Sequence, residues 1–277
     1  MKKALAKIDE VINAPKAGRA LLKQMKRTVE GWSTPEKSGF RFGPSSLHYA
    51  SEYDLVVDYW VPKPRMSLGL DLEMYGAVGQ ATHDFIQTLL YNMGYLVCEG
   101  LDGDGIIEPG FNCGALFSRG RVDGFLALPG IPKEHGLCPL LEIKTVGRYV
   151  YDGMRSADDI SDRYKMQAEI YQKMFGVTST WFMFVCRDSM RRKIIVYDMV
   201  GSYWQAARDK MIRVIEHAKN HTVPQIEGGL TNGEMQFLIT SSLDTRPKDD
   251  FYDLTKWSIP TDLQIVGSTV LHSYPLS

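Results

Sequence analysis

The stretch of sequence that decides the fold runs from Ser118 to Thr145 and reads SRGRVDGFLALPGIPKEHGLCPLLEIKT. Its apolar runs, separated by a loop rich in Gly and Pro, predict two short strands. The first strand carries Asp123, and the second carries Glu142 and Lys144. Side chains along a strand alternate between its two faces, so Glu142 and Lys144 point the same way while their apolar neighbours enter the apolar layers.

This pair of strands has two interpretations. If the strands are neighbours in a sheet, Asp123 joins Glu142 and Lys144, and two carboxylates beside an ammonium suit a divalent metal ion and a water molecule to be activated. The alternative is a surface hairpin on which Glu142 and Lys144 form an ordinary ladder of opposite charges. Taken alone, the stretch favours the surface hairpin, but motifs elsewhere in the chain favour the metal site.

The composition is that of an ordinary globular protein. The chain has 277 residues, of which 44% are hydrophobic and 23% are charged, so it can form one large domain or two small ones around a proper core. No run approaches the ~18 apolar residues that span a membrane, and the charged N-terminus lacks the apolar core of a signal peptide. We therefore expect a cytoplasmic protein that does not associate with a membrane.

Charge and cysteine usage exclude several classes of protein. The net charge of −1 argues against a protein that coats nucleic acid, although residues 1–28 hold eight Lys and Arg against only Asp9 and Glu10. The four cysteines form no CxxC pair, which predicts buried free thiols rather than a zinc or iron–sulfur site. Neither a Walker phosphate loop nor a dinucleotide-binding glycine pattern occurs, so we expect no nucleotide cofactor.

Hydrophobic periodicity predicts an α/β fold with a mixed central sheet flanked by helices. Helices are predicted at 1–30, 162–175 and 202–220. A further predicted helix is capped by Ser45 or Ser46 and ends at 60, and another begins within 69–79 and ends near 94. The predicted strands are 95–99, the pair described above, and a hairpin of 180–187 with 193–200. Residues 31–46 read as a loop and 100–117 as irregular chain. We therefore divide the chain into a helical and loop region (1–43), a core (44–221) and an irregular C-terminal extension (222–277).

Two further motifs flank the central strands. The sequence GQATH at Gly79–His83 lies on the helix before the first strand and can bring His83 to the same edge of the sheet. The sequence QAEIY at Gln167–Tyr171 lies on the helix after the second strand, where the i, i+4 spacing puts Gln167 and Tyr171 on one face. Alone, each motif fits an ordinary amphipathic helix, with His83 on the surface or in the core and Tyr171 in the core.

In their order along the chain, GxxxH, a strand with Asp, ExKT and QxxxY resemble the RecB-like branch of the PD-(D/E)xK nucleases. Phage-type and CRISPR-associated exonucleases belong to that branch. The resemblance covers residues 44–200 and implies a restriction-endonuclease-like fold. Iron–sulfur members have a cysteine soon after a Pro-Ser start and three more near the C-terminal end. Here no cysteine follows Pro44-Ser45-Ser46 closely and none lies beyond Cys186, so we expect no iron–sulfur cluster.

The resemblance also implies a role for each residue of the motifs. It makes His83, Asp123 and Glu142 ligands of one or two Mg²⁺ or Mn²⁺ ions, with the main-chain carbonyl of Ile143 as a further ligand. Carboxylate oxygens and one imidazole suit those ions. An ammonium beside two carboxylates stays protonated, so Lys144 is expected to orient the attacking water and to stabilise charge on the phosphorane.

Other residues are candidates for contact with DNA. Gln167 and Tyr171 would position the substrate strand, and the phenol ring can also stack on a base. Arg119 and Arg121 alternate along the first strand with Asp123 and share its face, so either can touch phosphate, although solvated arginines are the alternative. The remaining candidates are Thr145 and, in the basic turn RDSMRRK, Arg187, Arg191, Arg192 and Lys193.

Together these roles imply a metal-dependent deoxyribonuclease. By analogy with the family, it is expected to be an exonuclease that releases 5′-phosphate products from DNA ends in recombination, repair or replication. The alternatives are a structure-selective endonuclease or junction resolvase on the same fold, and a non-catalytic nucleic-acid-binding protein that retains the fold. The extension 222–277 is expected to form homo-oligomers or to contact a replication or recombination protein.

Overall fold

The computed structural model describes the middle of the chain most completely. The described residues are 42–60, 70–102, 105–113, 116, 118–129, 138–226, 229–234 and 272–273. The predicted helix at 1–30, most of the loop predicted after it and most of the extension 222–277 lie outside the described residues. Within the described residues, no helix is both long enough and apolar enough to cross a membrane.

The main elements of the described part of the chain are ten strands and five α-helices, numbered in chain order. The strands are β1 (Leu96–Cys98), β2 (Gly100–Asp102), β3 (Gly105–Ile107), β4 (Gly110–Cys113), β5 (Ser118–Arg121), β6 (Gly124–Leu126), β7 (Leu140–Val146), β8 (Ser179–Cys186), β9 (Arg192–Asp198) and β10 (His272–Ser273). The helices are α1 (Glu52–Trp60), α2 (Leu70–Asn92), α3 (Arg148–Gly153), α4 (Asp162–Phe175) and α5 (Ser202–Lys219). A 3₁₀ turn at Ala157–Asp159 lies between α3 and α4.

Six of these strands form one mixed sheet in the order β10–β1–β6–β7–β8–β9. The central strand β7 runs antiparallel to β6 and parallel to β8. Strands β8 and β9 pair antiparallel, which confirms the hairpin predicted at 180–200. The predicted class, a mixed central sheet flanked by helices, is confirmed.

Helices cover both faces of this sheet, and β7 contributes side chains to each face. Leu140 belongs to the buried cluster that α1, α4 and α5 cover, whereas Leu141 and Ile143 pack in the cluster against α2. Val146 belongs to a further cluster on the α4 side. On the α4 face of β7, apolar residues at the two ends of the strand therefore flank the polar positions 142 and 144 between them.

Helix α4, which carries the QxxxY motif, is held in place by a buried carboxylate. Glu169 accepts hydrogen bonds from the Tyr197 hydroxyl at 2.8 Å and from the main-chain N–H groups of Val200, Gly201 and Trp204 at 3.0, 3.0 and 2.7 Å. The start of a helix presents unpaired N–H groups and the positive end of its dipole. Glu169 therefore ties α4 to β9 and to the N-terminus of α5.

Some local predictions hold and others are wrong. The four cysteines are buried and free, as expected. Residues 100–117 are not irregular throughout, since β2 pairs with β3 and β4 pairs with β5; strands of three or four residues, each with a glycine or a polar residue, are too short to show an apolar alternation. The predicted cap of α1 is also wrong, because Ser51 rather than Ser45 or Ser46 accepts a hydrogen bond from the N–H of Asp54, at 3.0 Å.

Candidate active site

The candidate site lies where β6 ends and leaves one edge of β7 open. Strand β6 pairs with β7 only at Phe125–Leu140 and Gly124–Leu141, whereas β8 accompanies β7 over its whole length. In an antiparallel pair, alternate residues direct both N–H and C=O toward the partner. The Leu126 N–H donates to the Pro139 carbonyl at 2.9 Å, so in this alternation residues 139, 141 and 143 face β6. The main chain of Ile143 therefore faces the open edge.

Asp123 occupies this open edge. Its Oδ2 accepts a hydrogen bond from the Ile143 N–H at 2.5 Å, and its side chain is buried. The chain turns after β5 and enters β6 at Gly124, which has φ +148°, and a Cβ at that position would lie 2.4 Å from Leu96 Cδ1. Only glycine adopts this backbone at so close an approach, so Gly124 allows Asp123 to reach β7.

The same turn separates Asp123 from the two arginines that precede it. Arg119 and Arg121 lie on β5, which pairs with β4 in a separate small sheet, and Asp123 lies outside that strand. The prediction that the three residues share one strand face is therefore wrong, because the chain bends after Arg121. Arg121 is exposed on this hairpin and its charge opposes the rise in the pKa of Glu108.

His83 reaches Asp123 from α2, as the position of the GxxxH motif predicts. Its Nδ1 lies 3.1 Å from Asp123 Oδ1, and the histidine side chain is 22% exposed. Burial lowers the pKa of His83, but the hydrogen bond and the charge of Asp123 outweigh that effect, so its pKa lies above the ordinary value. Asp123 therefore favours the protonated form of the His83 imidazole.

Two residues that sequence reasoning missed extend this arrangement. Gln87, one turn beyond His83 on α2, donates through Nε2 to the Asp123 main-chain carbonyl at 2.9 Å and to Glu108 Oε1 at 3.0 Å. Burial and the charge of Asp123 raise the pKa of Glu108. The spacing of four from Gly79 through His83 to Gln87 was a signal for Gln87. Nothing in the sequence pointed to Glu108.

Glu142 and Lys144 form an ion pair on the other side of β7, facing α4. Lys144 Nζ lies 2.5 Å from Glu142 Oε2, and the side chains are 16% and 3% exposed. Burial raises the pKa of Glu142 to about 7, even though Lys144 opposes the rise. Burial lowers the pKa of Lys144, but the charges of Glu142 and Asp123 outweigh it and the pKa lies above its ordinary value. The Lys144 ammonium therefore keeps its proton, whereas burial disfavours the charged form of the Glu142 carboxylate.

Helix α4 presents Gln167 to this site and buries Tyr171. Gln167 Nε2 donates to the Tyr171 hydroxyl at 3.3 Å. The Tyr171 ring is 4% exposed and lies 6.0 Å from the ring of Phe111, centroid to centroid, in an edge-to-face arrangement. A ring buried in this way does not stack on a base, so that predicted role of Tyr171 is wrong and its interpretation as a core residue holds. Burial, followed by the charge of Glu142, raises the pKa of its hydroxyl.

A cleft of about 230 Å³ opens above these residues between α2 and α4. Of the predicted residues, it is lined by His83, Ile143, Lys144, Thr145 and Gln167. It is also lined by Gly79 and by four residues that sequence reasoning missed, Ser45, Tyr75, Arg163 and Tyr164. Asp123 and Glu142 lie directly behind this lining, in contact with His83, Ile143 and Lys144.

The basic turn between β8 and β9 is only partly available to a ligand. The Lys193 ammonium donates to the carbonyls of Tyr151 and Met154 at 2.6 and 2.7 Å and so holds the end of α3. The contact of Lys193 with nucleic acid stays a prediction, and these two carbonyls leave one of its three N–H donors for it. Arg191 and Arg192 are exposed, and the Arg187 guanidinium lies 4.5 Å from the centroid of the Tyr75 ring at the cleft.

The donor set fits a hard divalent cation. Glu142 Oε2 is buried and receives no well-directed hydrogen bond, although Lys144 is close to it. Carboxylate and carbonyl oxygens suit Mg²⁺, and an imidazole suits Mn²⁺ as well. Within the residues that the structure describes, no three His, Cys, Asp or Glu side chains are already grouped to hold a metal ion. Asp123 is turned toward Ile143 and His83, so binding of a cation requires Asp123 or His83 to reorient.

Comparisons with known proteins find likeness at the level of structure only. No family model and no curated protein matches the chain. An alkaline exonuclease (LHK-Exo) from Laribacter hongkongensis is similar with a TM-score of 0.43 and 10% identity over 81% of this chain and 100% of that one. The same exonuclease in complex with dAMP is similar with a TM-score of 0.41 and 11% identity over 81% of this chain and 100% of that one. SSO0001 is similar with a TM-score of 0.32 and 16% identity over 79% of this chain and 93% of that one. Likenesses of this size are too weak to assign an activity.

Proposed function

We propose that the protein is a metal-dependent DNA nuclease that hydrolyses phosphodiester bonds. The observation that supports this most strongly is that Asp123, at the open edge of β7, and the Glu142–Lys144 pair, on the α4 face of the same strand, lie directly behind one cleft that His83 and Lys144 line. Two carboxylates and an ammonium from three separate positions on the chain are the groups that phosphodiester hydrolysis with a divalent cation needs.

In this proposal, Asp123, Glu142, His83 and the Ile143 carbonyl hold one or two Mg²⁺ or Mn²⁺ ions. A bound cation of this kind lowers the pKa of a water molecule and neutralises charge on the phosphate. Lys144 keeps its proton, because the neighbouring carboxylates raise its pKa above the ordinary value against the effect of burial. Its role is therefore to orient water and to stabilise negative charge on the phosphate oxygens, rather than to act as a base.

The buried carboxylates also argue against a protein that only binds nucleic acid. DNA phosphates would meet Asp123 and Glu142 directly behind the cleft, and like charges at such a distance repel one another. Only a cation between them turns this arrangement into a favourable one. A binding module has no need of buried carboxylates at this place, whereas a hydrolase uses them to hold the cation.

We further propose that the enzyme acts on DNA ends as an exonuclease and leaves 5′-phosphate products, in recombination, repair or replication. This part rests on the resemblance of the motifs to RecB-like nucleases. The rival on the same fold is an endonuclease or junction resolvase. Covalently closed circular DNA separates the two, because it offers no end to an exonuclease.

The test is a cleavage assay on linear single-stranded, linear duplex and closed circular DNA with Mg²⁺ or Mn²⁺. Wild type is expected to degrade linear DNA, and Lys144→Met and Glu142→Gln to lose about 10²–10³ in rate, as expected when one group that stabilises developing charge is removed. Asp198→Asn, which neutralises an exposed carboxylate on β9, is the matched control and should cleave like wild type. The proposal fails if wild type degrades none of the substrates, or if both site variants degrade them as fast as wild type.

A further inference from the structure

Arg163 lies at the cleft between two tyrosine rings. Its guanidinium carbon is 4.4 Å from the centroid of the Tyr164 ring and 5.0 Å from that of Tyr49, and Nη2 donates to the Tyr164 hydroxyl at 2.8 Å. The Tyr164 ring is itself fixed from below, since its centroid lies 6.3 Å from each of the rings of Phe182 and Phe184 in the core. These contacts therefore fix the position of the Arg163 side chain at the cleft.

The same tyrosine ring connects Arg163 to the catalytic lysine. Lys144 Nζ lies 5.2 Å from the Tyr164 centroid, so two cations lie against one ring. Lys144 is balanced by Glu142. Among the described residues, no carboxylate forms an ion pair with Arg163, whose single side-chain hydrogen bond there is to a neutral phenol. An uncompensated guanidinium that lines a cleft is a site for an anion.

The opposite wall of the cleft carries a similar pair. Tyr75 of α2 lines the cleft, and the Arg187 guanidinium lies 4.5 Å from its ring centroid. The Arg187 main-chain N–H donates to the Val146 carbonyl at 2.9 Å, which anchors this arginine to the end of β7. Within the described part of the chain, Arg187 also forms no ion pair with a carboxylate. Arg163 therefore lines the cleft itself, and Arg187 lies against Tyr75, a lining residue of the opposite wall; a tyrosine ring supports each arginine.

We propose that Arg163 and Arg187 form a two-sided clamp on the backbone phosphates of the DNA strand that enters this cleft. The inference rests on the proposed function for the identity of the ligand. A planar guanidinium matches phosphate oxygens with two parallel N–H donors. Arg163 gives one N–H of Nη2 to the Tyr164 hydroxyl and keeps its other N–H donors for phosphate. Contacts to phosphate position a strand without reading its sequence. The clamp therefore fixes the strand relative to Lys144 for any base sequence.

The clamp is tested by equilibrium binding without hydrolysis. Fluorescence anisotropy of a dye-labelled oligothymidine is measured with Ca²⁺ in place of Mg²⁺ or Mn²⁺, since Ca²⁺ also takes carboxylate oxygens, over a series of NaCl concentrations. Each phosphate contact on a single strand contributes about 0.7 to the slope of log K against log salt. Arg163→Gln and Arg187→Gln should each weaken binding and reduce that slope by about 0.7, and the double variant by about 1.4. Arg155→Gln, which removes an exposed arginine outside the cleft lining, should leave the slope unchanged.

A conservative variant separates loss of charge from loss of the stacked geometry. Arg163→Lys keeps the charge, so its salt slope should match wild type, but its affinity should fall several-fold because the planar fork over Tyr164 is gone. The clamp is overturned by any of three results. These are failure of wild type to bind oligothymidine, a salt slope that Arg163→Gln and Arg187→Gln leave unchanged, and a reduction of the slope by Arg155→Gln that is as large as theirs. If Arg163→Gln and Arg187→Gln reduce the salt slope but wild type hydrolyses no DNA, the clamp stands and the proposed nuclease activity fails. If wild type hydrolyses DNA but the slopes are unchanged, the nuclease activity stands and the clamp fails.

Discussion

At the scale of single residues, the charge of Glu142 is strongly opposed by its surroundings, since its side chain is 3% exposed and burial raises its pKa to about 7 despite Lys144. The ordinary pKa of a glutamate is about 4.3. Between these two values the folded protein holds a proton that the unfolded chain has released, so stability falls as the pH rises through this window. The raised pKa of His83 acts in the same direction, because its contribution is lost as the pH rises through that pKa.

This linkage predicts a pH dependence that one substitution should reduce. In EDTA, raising the pH from 5 to 7 should cost wild type on the order of 2–3 kcal/mol of unfolding free energy through Glu142. Glu142→Gln has no carboxylate to ionise there, so its decline should be smaller, while Asp198→Asn should follow wild type. Urea unfolding at half-unit steps of pH measures the slopes. Equal slopes for wild type and Glu142→Gln would show that Glu142 titrates normally.

At the scale of secondary-structure elements, the position of α4 depends on a carboxylate that takes no part in the chemistry. Glu169 is fully buried and accepts four hydrogen bonds from β9 and from the start of α5. The same helix carries Arg163 and Gln167 to the cleft and Tyr171 to the core behind it. Loss of the hydrogen bonds to Glu169 should therefore shift α4 and, with it, the side chains that α4 presents to the cleft.

We predict that Glu169→Ala destabilises the protein by about 3–5 kcal/mol, because it leaves buried donors without an acceptor. Glu169→Gln keeps one acceptor oxygen and should cost roughly half as much. Glu216→Ala, at a half-buried position on α5, should change stability by no more than about 0.5 kcal/mol. Chemical denaturation measures all three variants. A loss from Glu169→Ala no larger than that from Glu216→Ala would contradict a role for Glu169 in holding α4.

At the scale of the whole molecule, the sequence predicts the elements with strong periodicity and misses contacts made across the fold. Helix α4 and the β8–β9 hairpin follow from apolar patterns and from the terminal Gly176, and the structure has both. The alternation along β7 predicts that Glu142 and Lys144 share a face. Three-residue strands such as β2 are too short to carry such a pattern, so the sequence does not predict the strand pairs within 100–121.

The site shows the same division between local and long-range information. The i, i+4 spacing on α2 and α4 led to His83 and Gln167, and one further turn in each helix would have found Gln87 and Arg163. Glu108 gave no signal, because only the folded chain brings it near Asp123. The bend at Gly124, which moves Arg119 and Arg121 off the face of Asp123, depends on contact with Leu96 that no local pattern encodes.

The central claim is that the buried carboxylates Asp123 and Glu142 behind the cleft hold a divalent cation, and calorimetric titration of Mn²⁺ into the protein at pH 8 tests it most directly. Wild type and Asp198→Asn should bind Mn²⁺ with the same affinity. Asp123→Asn and Glu142→Gln should each lose at least about tenfold in affinity, since each removes a charged oxygen ligand. Binding by both site variants as tight as that by wild type, or no binding by wild type, would contradict the claim.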